Sequence, residues 1–525
     1  MLKTKTGKNA ISIIVIIALT FVVTDILMPH GAATTPDSIN YLDISYNLSK
    51  GYGFGKTDYS LTAYLNKNDS HQTLIERSWP PLYPLFLSVF VKSPSDTESV
   101  KTASFLLLII AVTLIFLTLR IHFEWHISSL LSLSFIFSLP LLTIFTFAWS
   151  ETLFIALLAA SIYIAISMFN SPKLFAIKLS LLFALAALLF YTRYIGICFI
   201  SIPLLVQIIQ RKKITAKLII LNLALLAVYS IVVGALMYSN FQYTNSITGA
   251  IRPESKNGFF QNLLFALDAF KITVPENIIT LLIATIISIV FSYALTQKNN
   301  ASNTPSEIPM LKPIIFSAIL STIYLLTVLI SGAIKTFDQI DIRLISPSFI
   351  LLLLALALTL KLNSSKIYSL CLKTFSVLTL VLLAINGLTT FIETQNNWSK
   401  GNQPMLKKTT KLYYVNNSPS KKEIHIYKEL FIRLTKEKGL IITNTPQTMR
   451  FFSDLDIFLS LPIEINNKNI NQINSLPKGS KIFIPKSYNL NINKELGEIQ
   501  LIAIDMKSHM AIHLPLERKK TDMFL

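Results

Sequence analysis

Long apolar runs broken by short basic loops set the pattern of this chain. The runs are Ala10–Met28, Ala103–Leu119, Ile127–Phe145, Thr152–Met168, Leu174–Tyr191, Ile195–Ile209, Leu218–Tyr238, Ile278–Leu295, Pro313–Ser331, Leu344–Leu360 and Ile367–Phe391. Most approach the ~20 residues that a helix needs to cross the hydrocarbon of a bilayer. They are continuously apolar rather than alternating, which favours helices over a closed barrel as the spanning structure. The pattern predicts an all-α polytopic membrane protein of about eleven transmembrane helices over residues 1–392.

The loops give an independent test of that count. With Lys3, Lys5 and Lys8 in the cytoplasm, alternate loops carry Arg120; Lys173; Arg211, Lys212, Lys213 and Lys217; Lys298 and Lys312; Lys361 and Lys366. Short cytoplasmic loops are enriched in Lys and Arg, so this phase is the favoured one. The opposite loops are richer in acids, aromatics and polar groups. An odd number of spans then places residues 393–525 outside the cytoplasm. There, strands are predicted at Gly439–Asn444, Lys481–Ile484 and Ile499–Ile504, with helices at Lys421–Lys438 and Thr445–Ser453. Strands alternating with helices predict a small soluble α/β domain.

Composition agrees with this reading. Of 525 residues, 52% are hydrophobic and only 14% charged, and mean hydropathy is +0.55. The net charge of +19 would suggest nucleic acid as a partner of a soluble protein. Here the cations are accounted for by orientation in the bilayer, so no nucleic-acid partner is expected. Cys198 and Cys371 lie within apolar runs and suggest small buried hydrophobes rather than a disulfide framework. Basic Met1–Lys8 precedes an apolar run, but no small-residue cleavage site follows. The run is expected to be retained as a signal anchor.

The first external loop, residues 30–101, is unusually rich. Pro36 favours a helix start, and Leu42–Leu48 has helical apolar spacing that predicts a short amphipathic helix on the membrane surface. Gly51-Tyr52-Gly53-Phe54-Gly55 should end it. Asp37 and Tyr41, four residues apart, share one side of this helix. Asp43 lies on another face and is expected to be solvated. The loop closes with Arg77-Ser78-Trp79-Pro80-Pro81-Leu82-Tyr83-Pro84, a rigid turn suited to the edge of a cavity.

Charged residues at membrane depth are costly and face a cavity or a partner. Four segments carry them on the external side. Glu151, in Trp149-Ser150-Glu151-Thr152-Leu153-Phe154, opens the fourth run; a helix cap is the simpler reading of it. Arg193, in Tyr191-Thr192-Arg193-Tyr194-Ile195-Gly196, runs against the orientation bias. It is read either as an anion ligand or as an interface anchor. Lys335, Asp338, Asp341 and Arg343 cluster before the tenth run, where an internal Asp341–Arg343 pair is the simpler reading. Arg77 is a further candidate anion ligand. The histidines at 425, 509 and 513 lack metal-ligand spacing, and no phosphate-binding loop or hydrolase motif is present.

In order and sidedness these motifs resemble the GT-C superfamily of glycosyltransferases, above all its protein O-mannosyltransferase-like and aminoarabinose-transferase-like members. The resemblance runs from Met1 to about Leu360. It rests on an external Asp after the first helix, the Pro-Pro-aromatic segment, Ser-Glu-Thr-Leu-Phe, Arg-Tyr-x-Gly and a late Asp-x-Arg-x-x-x-Pro. The chain departs from the family pattern in carrying Ser38 rather than a second acid after Asp37, and Leu344 after Arg343.

The resemblance implies an integral-membrane, inverting glycosyltransferase that uses a polyprenyl-phosphate sugar donor. The acceptor (protein, lipid or glycan) would lie on the outer side, in a bacterial inner or plasma membrane. Asp37 would act as base, and Glu151 would orient the acceptor or a bound cation. Arg193 and Arg343 would stabilise the leaving phosphate, with Lys335 and Arg77 behind them, and Tyr41, Tyr194 and Asp341 would line the substrate site. A divalent cation is left open as a cofactor. The alternatives are a secondary transporter, which usually shows internal repeats absent here, and a lipid-linked glycan polymerase or ligase.

Overall fold

A computed structural model of the chain describes residues 2–29, 31–57, 73–75, 77–171, 173–210, 215–249, 251–273, 308–335 and 340–361. It also describes eight positions between 377 and 392 and the segments 440–443, 458–460, 481–485 and 500–504. In chain order the elements are α1 (Leu2–Leu27), α2 (Pro36–Ser49), β1 (Gly55–Thr57), β2 (Thr73–Ile75), α3 (Leu82–Leu87), α4 (Thr97–Arg120), α5 (Trp125–Ile136), α6 (Leu139–Thr146), α7 (Glu151–Asn170) and α8 (Phe175–Thr192). A 3₁₀ helix (Tyr194–Ile200) leads into α9 (Ser201–Gln210), followed by α10 (Ala216–Thr244), α11 (Phe259–Thr273), α12 (Ile308–Ile334) and α13 (Ile342–Thr359). The strands β3 (Ile441–Thr443), β4 (Phe458–Ser460), β5 (Lys481–Pro485) and β6 (Gln500–Ile504) complete the described chain.

Among the described residues, seven helices are long and apolar enough to cross a membrane, and the α5–α6 pair makes an eighth if counted as one bent span. With the shorter apolar stretch Tyr194–Gln210, nine of the eleven predicted runs have a helical counterpart. Residues 278–295 lie outside the described residues, and of 367–391 only isolated positions are described. Two of the nine differ from the continuous helices expected. The run at 127–145 bends by 59° between α5 and α6. The break falls at Ser138, whose backbone is extended (φ −75°, ψ 132°), and Pro140 sits in the first turn of α6, where its missing N–H costs no helical bond. The run at 195–209 begins as a 3₁₀ helix rather than an α-helix.

α13 lies at the centre of the bundle, packed on α12 and against α6, α7 and α11, and is buried nearly throughout. α10 is at the other extreme, with Ile220, Leu223 and Ile231 exposed, an apolar face suited to lipid tails. α4 packs on α7, α7 on α8 and α1 on α4.

α2 covers the segment whose spacing predicts a helix after Pro36. Pro36 occupies its first position, Thr35 caps it, and eight of its residues are buried, Asp43 among them. Asp43 accepts hydrogen bonds from Thr57 N and Thr57 Oγ1, each at 2.8 Å. The expectation of a solvated Asp43 is therefore corrected: its carboxylate ties α2 to the β1–β2 hairpin, which pairs antiparallel from Gly55↔Ile75 to Thr57↔Thr73.

The C-terminal strands form one parallel sheet in the order β4-β3-β5-β6. Parallel strands need long crossover connections. The helices expected there, Lys421–Lys438 and Thr445–Ser453, lie outside the described residues.

Candidate functional site

The ends of four elements meet at one side of the helix bundle. The segment after α1 runs beside the loop between α6 and α7. Ala33 N donates to Thr146 O at 2.8 Å, Ala148 N donates to Ala33 O at 3.0 Å, and Ala33 and Phe147 form a parallel bridge. Gly31 permits this path. Its φ is +92°, and a Cβ there would lie 2.4 Å from Thr97 Oγ1 and 2.7 Å from the Thr97 carbonyl carbon. A side chain fits neither the dihedral nor the space. Asp37 then enters the first turn of α2, and Glu151 the first turn of α7.

Arg193 is aimed by the turn after α8. Its backbone is extended (φ −151°, ψ 132°), and its N–H still closes on Leu189 O at 3.0 Å. Gly196 N then donates to Arg193 O at 2.8 Å. The turn folds back so tightly that a Cβ on Gly196 would lie 2.4 Å from Leu189 O. Arg343 comes from the first turn of α13, whose N-cap Asp341 accepts from Leu344 N at 3.2 Å.

These four side chains form one ionic chain. Arg343 Nη1 donates to Asp37 Oδ2 at 2.9 Å, and Arg343 Nε lies 3.3 Å from Glu151 Oε1. The same Glu151 oxygen is in close contact with Arg193 Nη1. Exposure grades along the chain: the side chain of Glu151 is 3% exposed, Arg343 8%, Arg193 18% and Asp37 27%. Asp37 is thus the member most open to a ligand, and Glu151 the buried counter-charge. A buried carboxylate is tolerated when it is paired, and Glu151 Oε1 is held between two guanidiniums. Ser150 Oγ supplies a further donor to Glu151 Oε2 at 3.3 Å. Glu151 therefore does more than cap its own helix.

Aromatic groups wall the chain. Tyr41 donates from its hydroxyl to Ser150 Oγ at 3.2 Å. Burial, and then the charges of Asp37 and Glu151, push its phenol up, so it stays a neutral donor. Trp79 packs on Tyr41 with ring centroids 5.2 Å apart, and Tyr83 meets Tyr41 edge-on at 5.1 Å. The Pro80-Pro81 turn holds these two rings. The Arg343 guanidinium lies over the Trp149 ring, 5.2 Å from its centroid.

The remaining candidates sit further out. The Tyr194 hydroxyl donates to Arg77 O at 2.9 Å and receives Asn240 Nδ2 at 2.9 Å. The Arg77 guanidinium stacks over Tyr243 at 4.7 Å. The structure does not bring Lys335 to the ionic chain: it is exposed at the end of α12, bridged through its backbone to Glu254. Asp338 lies outside the described residues. Sequence reasoning gave no part to Thr35 or Trp149. A polar-tipped aromatic two residues before an acid that opens an apolar run was the available signal.

The donor set does not fit a divalent cation. Among the described residues no three His, Cys, Asp or Glu side chains converge. The two carboxylates here are matched by two guanidiniums, which leaves no net negative charge for a metal.

No family model matches the sequence, and no curated protein matches it. The structure is similar to that of ArnT from Cupriavidus metallidurans bound to undecaprenyl phosphate, with TM-score 0.53 over 86% of each chain at 12% identity. The same ArnT in the apo state gives the same figures. The fold is GT-C. At this identity the likeness is one of fold. The oligosaccharyltransferase of Archaeoglobus fulgidus, in complex with zinc and sulfate, is similar at TM-score 0.43 and 10% identity, over 87% of this chain and 64% of that one.

Proposed function

We propose that this chain is an integral-membrane glycosyltransferase that moves a sugar from a polyprenyl-phosphate donor to a hydroxyl acceptor on the extracytoplasmic side. The observation that carries the proposal is the Asp37–Arg343–Glu151–Arg193 chain, in which a semi-exposed acid pairs with one of two guanidiniums that share a buried carboxylate. The GT-C fold shared with an undecaprenyl-phosphate-bound structure supports the choice of donor.

The chemistry follows from the charges. The acceptor oxygen attacks the anomeric carbon and its proton passes to Asp37, the general base. The bond from that carbon to the phosphate oxygen breaks, and the electron pair leaves with the phosphate. Attack opposite the leaving group inverts the anomeric centre. The departing phosphate gains negative charge, so cations placed for it stabilise the transition state more than the ground state. Arg343 and Arg193 hold that position. A phosphate drawing on Arg343 also loosens it from Asp37, which frees the base as the donor arrives. Glu151 keeps both guanidiniums oriented, and Tyr41 and Trp79 wall the sugar side.

The test is direct. The full chain in lipid nanodiscs is given undecaprenyl-phosphate-linked pentoses and hexoses, with envelope extract as acceptor, and free undecaprenyl phosphate is measured by mass spectrometry. Release dependent on the chain is expected with at least one donor. No release from any of them, alongside no binding of undecaprenyl phosphate, contradicts the proposal.

A further inference from the structure

The indole of Trp149 lies against Arg343 of the ionic chain and bonds the cap of the helix that presents Asp37, yet the reaction described above uses neither contact. Trp149 is fully buried. Its Nε1–H donates to Thr35 Oγ1 at 2.9 Å. That hydroxyl caps α2: it accepts from Ser38 N at 3.4 Å and lies 3.1 Å from Ser38 Oγ. Asp37 is the second residue of the helix so capped. The same indole lies under Arg343, 5.2 Å from Cζ to ring centroid. It also stacks on Phe147, with centroids 4.1 Å apart and planes within 7°. Phe147 is itself bridged to Ala33, two residues before Thr35.

A space-filling aromatic needs none of this. A buried indole N–H seeks an acceptor, and here the acceptor is the cap of the helix that presents the acid. An aromatic face attracts a guanidinium, and here the guanidinium is the partner of that acid. We propose that Trp149 is a positioning residue that fixes the spacing between Asp37 and Arg343, its N–H acting on Asp37 through Thr35 and its ring acting on Arg343 directly. The inference rests on the glycosyl-transfer reading of that site.

The two contacts can be removed separately. Trp149→Phe keeps a ring and removes the N–H. Thr35→Val removes the acceptor from the other end. Trp149→Leu removes both contacts of the indole. The full chain in nanodiscs is assayed for its Kd for undecaprenyl phosphate and for release of that lipid from undecaprenyl-phosphate-linked sugars at saturating donor.

Trp149→Phe is expected to slow release at least tenfold while leaving the Kd within about twofold. Adding Trp149→Phe to Thr35→Val is expected to cost nothing more, because both act on one bond. Trp149→Leu is expected to slow release and also to weaken binding about tenfold, because Arg343 loses its platform. A Trp149→Phe chain with wild-type release overturns the inference, and so does a double variant whose losses add. A wild-type chain that binds the lipid but releases none fails the transfer reading alone. In that case an unchanged Kd in Trp149→Leu overturns the role of Trp149. A wild-type chain that does neither overturns both.

Discussion

Asp37 and Arg343 lie 306 positions apart in the sequence and meet at 2.9 Å. The same guanidinium reaches Glu151 at 3.3 Å, so one side chain joins carboxylates from two different helix starts. Only a planar fork does this well. A lysine offers a point charge on a flexible stem and cannot hold both acids in fixed geometry. Arg343→Lys is therefore expected to lower turnover by about 100-fold, the scale of losing one preorganised donor at a developing charge. Initial rates of undecaprenyl phosphate release check this. Near-normal rates in the lysine variant count against a geometric role for Arg343.

Arg193 shares the buried Glu151 with Arg343. Arg193→Ala leaves that carboxylate short of one partner and removes one of the two cations proposed for the donor phosphate. A lost charged hydrogen-bonding partner costs on the order of 1.5–3 kcal/mol. The expected result is a lower thermal midpoint together with a Kd for undecaprenyl phosphate raised at least tenfold. Arg193→Ala with unchanged lipid affinity leaves only an anchoring role at the membrane interface.

Gly196 sets where Arg193 points. A Cβ at that position would meet Leu189 O at 2.4 Å and the Phe190 nitrogen at 2.7 Å, backbone atoms that cannot rotate away. Gly196→Ala is expected to destabilise the chain by about 1–3 kcal/mol, as overpacking does, and to reduce release by shifting Arg193. Gly234, inside α10 and with nothing within 4 Å of an added Cβ, is the control: Gly234→Ala should not destabilise the chain and should leave release unchanged. Equal behaviour of the two variants would remove the argument from tight packing.

His122 gives the fold a pH dependence at the other end of the bundle. It follows α4, and its Nε2 is buried without a hydrogen-bond partner. Burial, helped by nearby Lys361, pushes its imidazole down to about 4. The unfolded chain binds that proton near pH 6.5, so between about 6.5 and 4 the unfolded state holds more protons. The contribution of neutral His122 is complete above about 6.5 and declines as the pH falls toward 4. Midpoints recorded across this window for the wild type and His122→Asn should converge at low pH. Parallel curves would show that His122 is not the titrating group.

Much of the site was legible because it breaks the rules for membrane helices. Asp37, Glu151 and Arg193 stand out as charges where apolar residues are the default. What they touch was not legible. Sequence proximity pairs Arg343 with Asp341. In the fold Asp341 caps α13 while Arg343 turns to α2 and α7, contacts that only the packed bundle creates. Helical spacing alone sends Asp43 to solvent, and spacing does not reveal the Thr57 backbone that meets it. Lys335, grouped with the site by sequence proximity, stays outside it. The bend before Pro140 and the 3₁₀ turn at Gly196 were hidden for another reason. Hydropathy measures apolar length, whereas both breaks are backbone events.

The most direct test separates binding from chemistry at Asp37. Asp37→Asn keeps the size of the side chain and removes the base. The account predicts that this variant inserts, binds undecaprenyl phosphate as tightly as the wild type or more so, and releases that lipid from its sugar conjugates at least 100-fold more slowly, within the range that general-base loss produces. Release at the wild-type rate by Asp37→Asn, at equal protein in the nanodisc, would contradict it.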